Sequence, residues 1–142
     1  MNIINKKDLF RNFEVGYKFS RTFKITIEDH EKFKNLTNDD SPLHTDINFA
    51  KLKGYNNIIG YSFLLTSLLS YCFGKVFPAG NDLCLKNETS FLKFYYIPNQ
   101  LEYNFELINI NEELSLIELK YTVKSLLQKE NIMKGKNLFK II

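Results

Sequence analysis

The chain has 142 residues, 44% hydrophobic and 25% charged, with a formal net charge of +3. That length fits one domain around a single core, and the composition is globular rather than disordered. Two His and two Cys are too few for a multi-ligand zinc cluster, Cys72 and Cys84 lack redox-pair spacing, and scattered lysines give no nucleic-acid footprint.

The segment Met1–Phe10 carries Lys6, Lys7 and Asp8 without an apolar run behind them, so it does not read as a signal peptide. Phe13–Ile27 reads as extended. Thr26 with Asp29 offers a capping-box start for a short helix carrying Ile27, Phe33 and Leu36, ending near Asn38. His30, among Glu28, Asp29 and Glu31, is expected on the solvated face of that helix. Asp39–Pro42 forms a turn, and Asp46 caps a second short helix, Ile47–Leu52, closed by Gly54.

A longer apolar helix is expected over Ile59–Phe73, ended by Gly74. No charged residue occurs from Ile58 to Gly74. The run is at the short limit for a bilayer span and carries several hydroxyls, so a helix buried against a sheet is expected. Leu83–Tyr96, Leu101–Ile110, Leu114–Leu127 and Met133–Ile142 read as strands separated by turn residues. Cys72 and Cys84 are expected to be buried small hydrophobes in a reducing cytoplasm. Phe91, Phe94, Tyr95 and Tyr96 are expected to serve the core and a dimer interface. The order of strand, helices and then strands predicts an α+β architecture over 1–142 as one domain, an antiparallel sheet wrapped around the long central helix.

The sharpest chemistry lies in Leu36-Thr37-Asn38-Asp39-Asp40-Ser41-Pro42-Leu43-His44-Thr45-Asp46. A carboxylate and an imidazole separated by a proline-held turn can face one point, hold a water and move protons at neutral pH. The same residues would equally serve a capping turn with a loop histidine bonded to backbone.

This stretch resembles the motif of the MaoC-like, hot-dog-fold (R)-specific enoyl-CoA hydratases and acyl dehydratases, roughly Leu-Ser-Gly-Asp-x-Asn-Pro-Leu-His-x-Asp. Leu36, Asp39, Pro42, Leu43, His44 and Asp46 match; Thr37, Asn38 and Ser41 differ. Phe13-Glu14-Val15-Gly16, Phe49-Ala50, Phe77-Pro78 and Ser90-Phe91 extend the likeness over most of the chain.

The resemblance implies a hot-dog fold and reversible syn addition of water to a trans-2-enoyl-CoA or enoyl-acyl-carrier-protein, giving the (R)-3-hydroxyacyl thioester. It places the catalytic roles on Asp39 and His44, with Asp40 a solvated turn residue. It puts Tyr61-Ser62 where the family carries His-Gly at the start of the long helix, and Ser70 at a family serine further along. Tyr61, Ser62 and Ser70 are therefore the expected substrate-binding residues. Ser62, Thr66 and Ser70 share one helix face; Thr66 either joins that face's chemistry or bonds back to the helix carbonyls. The resemblance further implies no cofactor beyond the CoA or phosphopantetheine arm, no metal, an apolar acyl tunnel between helix and sheet, and a homodimer or hexamer. The departure at Tyr61-Ser62 motivates a second reading, a non-catalytic hot-dog protein binding acyl thioesters or a partner subunit. Thioesterase chemistry on the same fold is a third, which the hydratase-type pair argues against.

Overall fold

The computed structural model describes residues 3–142; Met1 and Asn2, the start of the segment Met1–Phe10, lie outside the described residues. In chain order the elements are α1 Lys6–Asn12, β1 Lys18–Ile25, α2 Ile27–Thr37, α3 Pro42–Thr45, α4 Ile47–Leu52, α5 Ser62–Tyr71, β2 Asp82–Phe91, β3 Asn99–Asn111, β4 Leu116–Ser125 and β5 Glu130–Ile141. The strands form one five-stranded antiparallel sheet in the order β1-β3-β4-β5-β2. This is the α+β arrangement expected from the order of elements.

Alternation sets the inner face. Leu101, Tyr103, Phe105 and Leu107 of β3, Ile117, Leu119, Tyr121 and Val123 of β4, and Met133, Phe139 and Ile141 of β5 are all buried. A period of two points these side chains to one side, and they meet Leu64, Leu65 and Leu69 of α5. Tyr103 reaches from the sheet to the helix, its hydroxyl donating to the Leu65 carbonyl at 2.9 Å. The apolar run Ile58–Gly74 is thus a core helix, and no helix among the described residues is long and apolar enough to cross a membrane.

Gly135 lets the core close across the sheet. Tyr121 of β4 sits opposite Gly135 of β5 and extends over it to Thr89 of β2, with the two hydroxyls 2.6 Å apart. A Cβ on Gly135 would lie 2.4 Å from the Tyr121 hydroxyl and 2.2 Å from the Glu88 carbonyl oxygen.

Several elements differ from the sequence expectation. The central helix begins at Ser62 rather than Ile59, because Ile59 pairs with Tyr96 as an isolated bridge and the Gly60 N–H donates to the Tyr95 carbonyl at 2.7 Å. It does not stop at Gly74; a π-helical turn, Cys72–Val76, continues it. Strand β2 ends at Phe91, and of the aromatic run only Tyr95 is fully buried, with Phe91 and Phe94 41% exposed. Cys84 is exposed on the edge strand β2, where Leu85 is an extra residue in the register with β5; Cys72 is buried as expected. Helix α1, capped by Asn5 accepting from the Asp8 N–H, and the single turn α3 were not expected.

Candidate active site

The capping box is formed: Thr26 Oγ1 accepts from the Asp29 N–H, and the Asp29 carboxylate accepts from the Thr26 N–H and hydroxyl. It fixes the start of α2, and Asn38, at φ 55°, ends it in the left-handed conformation. The chain turns at once. Asp39 Oδ1 accepts from the Ser41 N–H at 3.1 Å, and Pro42 occupies the first position of α3, where its fixed φ suits a helix start. The turn thereby brings His44 back toward the strand-like segment before α5.

His44 Nδ1 lies 2.8 Å from the Ile59 carbonyl oxygen, and the Ile59 N–H donates to the Leu43 carbonyl at 3.1 Å. A carbonyl only accepts, so Nδ1 carries the proton. In the neutral imidazole Nε2 is then a bare lone pair, the form a general base needs. The side chain is partly exposed, so that lone pair is within reach of a bound water.

Asp39 is exposed, and the bonds from Ser41, with a smaller contribution from His44, hold its carboxyl below the usual range. It is ionised at neutral pH. Asp39 and His44 form no direct ion pair; Tyr61 links them. Its hydroxyl donates to the Asp39 carbonyl oxygen at 2.5 Å, and its ring lies over the His44 imidazole with centroids 4.1 Å apart. Tyr61 is 2% exposed, and burial pushes its phenol up to about 12, so it stays a donor through the working range. Tyr61 is the residue immediately before α5. Its backbone is held in turn: the Tyr95 hydroxyl donates to the Tyr61 carbonyl at 2.9 Å. Tyr95 can lie there because position 60 is glycine, where a Cβ would fall 2.1 Å from its ring.

Ser62 opens α5 and is exposed; no side chain caps that helix end. Its first N–H groups are thus free of a side-chain acceptor and point, with the positive end of the helix dipole, beside the Tyr61–His44 pair. Ser70 lies on the same helix face about 12 Å further along, at 1.5 Å per residue. It lines a separate cleft of about 440 Å³ between α5 and the sheet, with Thr66, Leu69, Phe73, Asn137 and Phe139. The structure therefore brings Asp39, His44 and Tyr61 together, with Ser62 next to Tyr61 at the start of α5, while Ser70 lines the other cleft. Thr66 bonds back to the helix, its hydroxyl donating to the Phe63 carbonyl at 2.9 Å. Asp40 is exposed, and Asp46 caps α4 through the Asn48 and Phe49 N–H groups. Among the described residues no three His, Cys, Asp or Glu side chains gather as metal ligands would.

His30 corrects the sequence reading. It is not on a solvated face but fully buried, 0% exposed, with its ring against Tyr61 and its Nε2 2.8 Å from the His44 carbonyl oxygen. The charged neighbours suggested exposure, yet His30 stands three residues before Phe33, and that spacing puts it on the helix face turned to the core. Phe33 confirms the face, its ring 5.1 Å from Tyr61.

Comparison with known proteins agrees with this architecture. No family model matches the chain. An (R)-specific enoyl-CoA hydratase of Aeromonas caviae is 25% identical over 109 residues, covering 77% of this chain and 81% of the relative. Among solved structures, an (R)-hydratase from A. caviae involved in PHA biosynthesis superposes with a TM-score of 0.85 at 22% identity, over 93% of this chain and 99% of that one. The R-hydratase PhaJ1 from Pseudomonas aeruginosa gives a TM-score of 0.85 at 19% identity, over 97% and 85%. A MaoC-like dehydratase gives 0.82 at 15% identity, over 94% of this chain and 42% of that one. With its sheet curled around α5, the chain has the hot-dog fold of these hydratases, and in sequence it is similar to an (R)-specific enoyl-CoA hydratase along about three quarters of its length.

Proposed function

We propose that the chain is an enoyl-thioester hydratase and 3-hydroxyacyl-thioester dehydratase, with Asp39 and His44 as its catalytic residues. The observation that carries this reading is the pair itself: an ionised carboxylate and an imidazole with a bare Nε2, joined by Tyr61 at the open N-terminus of α5. Both groups start as bases, so the proton that reaches Cα is the one removed from water. As the water oxygen bonds to Cβ, the C=C π pair moves toward the thioester carbonyl, and the captured proton is passed to Cα. One pair of groups on one side of the alkene gives syn addition. Enolate charge on the thioester oxygen falls to the free N–H groups at Ser62. Dehydration runs the same steps backwards.

The thioester arm is that of CoA or an acyl-carrier protein, and the reaction requires no cofactor beyond it. The cleft between α5 and the sheet that holds Ser70 is the place for the acyl chain. The 142 residues form one hot-dog unit that pairs with a second copy through β2, or assembles further into a hexamer. Support for pairing is that β2 is an edge strand bearing exposed Leu83, Leu85 and Phe91, with Phe63 of α5 71% exposed beside Phe91. Free Cys72 and Cys84 support a cytoplasmic setting, and the work belongs to fatty acid metabolism.

The test is the loss of the conjugated enoyl absorbance of crotonyl-CoA, and of longer enoyl-CoA and enoyl-carrier-protein substrates, on adding the protein. Activity on any of these supports the reading. A wild-type protein inert on all of them overturns it in favour of a non-catalytic acyl-thioester binder.

A further inference from the structure

His30 is fully buried on the inner face of α2, yet the hydration chemistry makes no use of it. Its Nε2 is 2.8 Å from the His44 carbonyl oxygen, so Nε2 carries the proton and Nδ1 is a lone pair. That Nδ1 is buried with no hydrogen-bond partner. Burying an unpartnered ring nitrogen is unfavourable, and an apolar side chain would fill the same space without it. What the imidazole adds is the single N–H directed at the backbone of His44. The ring also lies against Tyr61, centroids 4.5 Å apart at 30°, and Tyr61 touches His44 at 4.1 Å. His30 thus reaches His44 by two routes, one through the backbone and one through the tyrosine ring.

We infer that His30 is a positioning residue for His44, anchoring its backbone through the Nε2–H···O=C bond and bracing its imidazole through Tyr61, so that His44 Nε2 is held toward the catalytic water. This rests on the reading of His44 as a catalytic residue. The arrangement works with His30 neutral, since a second proton would put an unpartnered N–H at Nδ1. The titratable groups around it are His44 and Tyr61 from across the packing and Glu31 and Lys34 from its own helix, and burial holds His30 below the ordinary histidine range.

The experiment compares the intact wild-type chain with His30→Phe, which keeps a ring and loses the donor, and His30→Gln, which keeps a donor and loses the ring. The chain has only two histidines, so ¹⁵N-edited histidine spectra of either variant report His44 alone. In wild type, His44 shows a single Nδ1–H tautomer when neutral. In His30→Phe the two His44 nitrogens average, kcat on an active enoyl thioester falls about tenfold and KM stays within about twofold. His30→Gln recovers part of the kcat and of the fixed tautomer. A retained single tautomer or an unchanged kcat in folded His30→Phe overturns the inference; His30→Leu is read the same way if the phenylalanine variant does not fold. If wild type hydrates no thioester, the hydratase reading has failed by its own assay. The tautomer alone then decides whether His30 positions His44.

Discussion

The Tyr61 ring lies over the His44 imidazole, centroids 4.1 Å apart and planes tilted by 34°, while its hydroxyl bonds the backbone of Asp39. One buried side chain therefore sets the position of both groups proposed to carry the chemistry. Because it stands directly before α5, it also ties them to the free N–H groups at the helix start. A carboxylate and an imidazole on a surface turn would otherwise wander over several rotamers.

Removing either proton-transfer group should stop the reaction without unfolding the chain. Asp39→Asn and His44→Ala each lower kcat by about 10²- to 10⁴-fold, the usual contribution of a positioned acid or base. Asp39 is exposed and His44 only partly buried, so the melting temperature of each variant stays close to wild type. Enoyl absorbance and thermal denaturation together check this.

Tyr61→Phe separates the hydroxyl from the ring. The stack on His44 survives, but the bond to the Asp39 carbonyl is lost, with a stability decrease of about 1 kcal/mol. The Asp39 turn loosens relative to His44, so kcat falls more than KM rises. Urea denaturation and steady-state kinetics measure the two effects separately.

Acid should weaken the folded state through His30. Its folded pKa lies below the ordinary value of 6.5 because burial disfavours the charged form. The unfolded chain then binds more protons than the folded one between the two pKa values. The stability this gives is fully present above about pH 6.5 and is lost as pH falls toward the folded value, by up to about 1.4 kcal/mol per pH unit. His30→Phe removes that slope. Chemical denaturation between pH 7 and 5 of both proteins gives the comparison.

Gly135→Ala tests the closure of the sheet over the core. The new methyl meets the Glu88 carbonyl at 2.2 Å, and backbone cannot swing aside as a side-chain tip can. Strands β5 and β2 must separate locally and Tyr121 must leave Thr89, a cost of about 1–3 kcal/mol. A drop in the denaturation midpoint at unchanged slope is the expected result.

The proposed pairing through β2 predicts a dimer for the wild-type chain by light scattering and a monomer for Leu85→Lys, which places a charge on an exposed apolar position of the edge strand.

Much of the molecule was legible before the structure. Thr26 with Asp29, and Asp46, are local signals, and each marks a helix start; Pro42 reads from sequence only as a turn residue, although it starts α3. The strand pattern of β3 to β5 needed only alternation. The Asp39–His44 spacing likewise drew attention to the turn. The charged sequence neighbours of His30 point to exposure, but charge along a chain says little about which face of a helix meets the core, and His30 is buried. Ile59 fits the helix by its apolarity, whereas pairing with Tyr96, distant in sequence, claims its backbone first.

Composition, caps and alternation thus determined by themselves the order and type of the main elements, since they act within a few residues of one another. Only tertiary structure decided that Tyr61 joins Asp39 to His44, that His30 lies beneath them, and that Ser70 faces a different cleft. Those relations join residues 14 to 22 positions apart or separate turns of one helix. They depend on how α2, α3 and α5 pack over the sheet, and no local propensity carries that information.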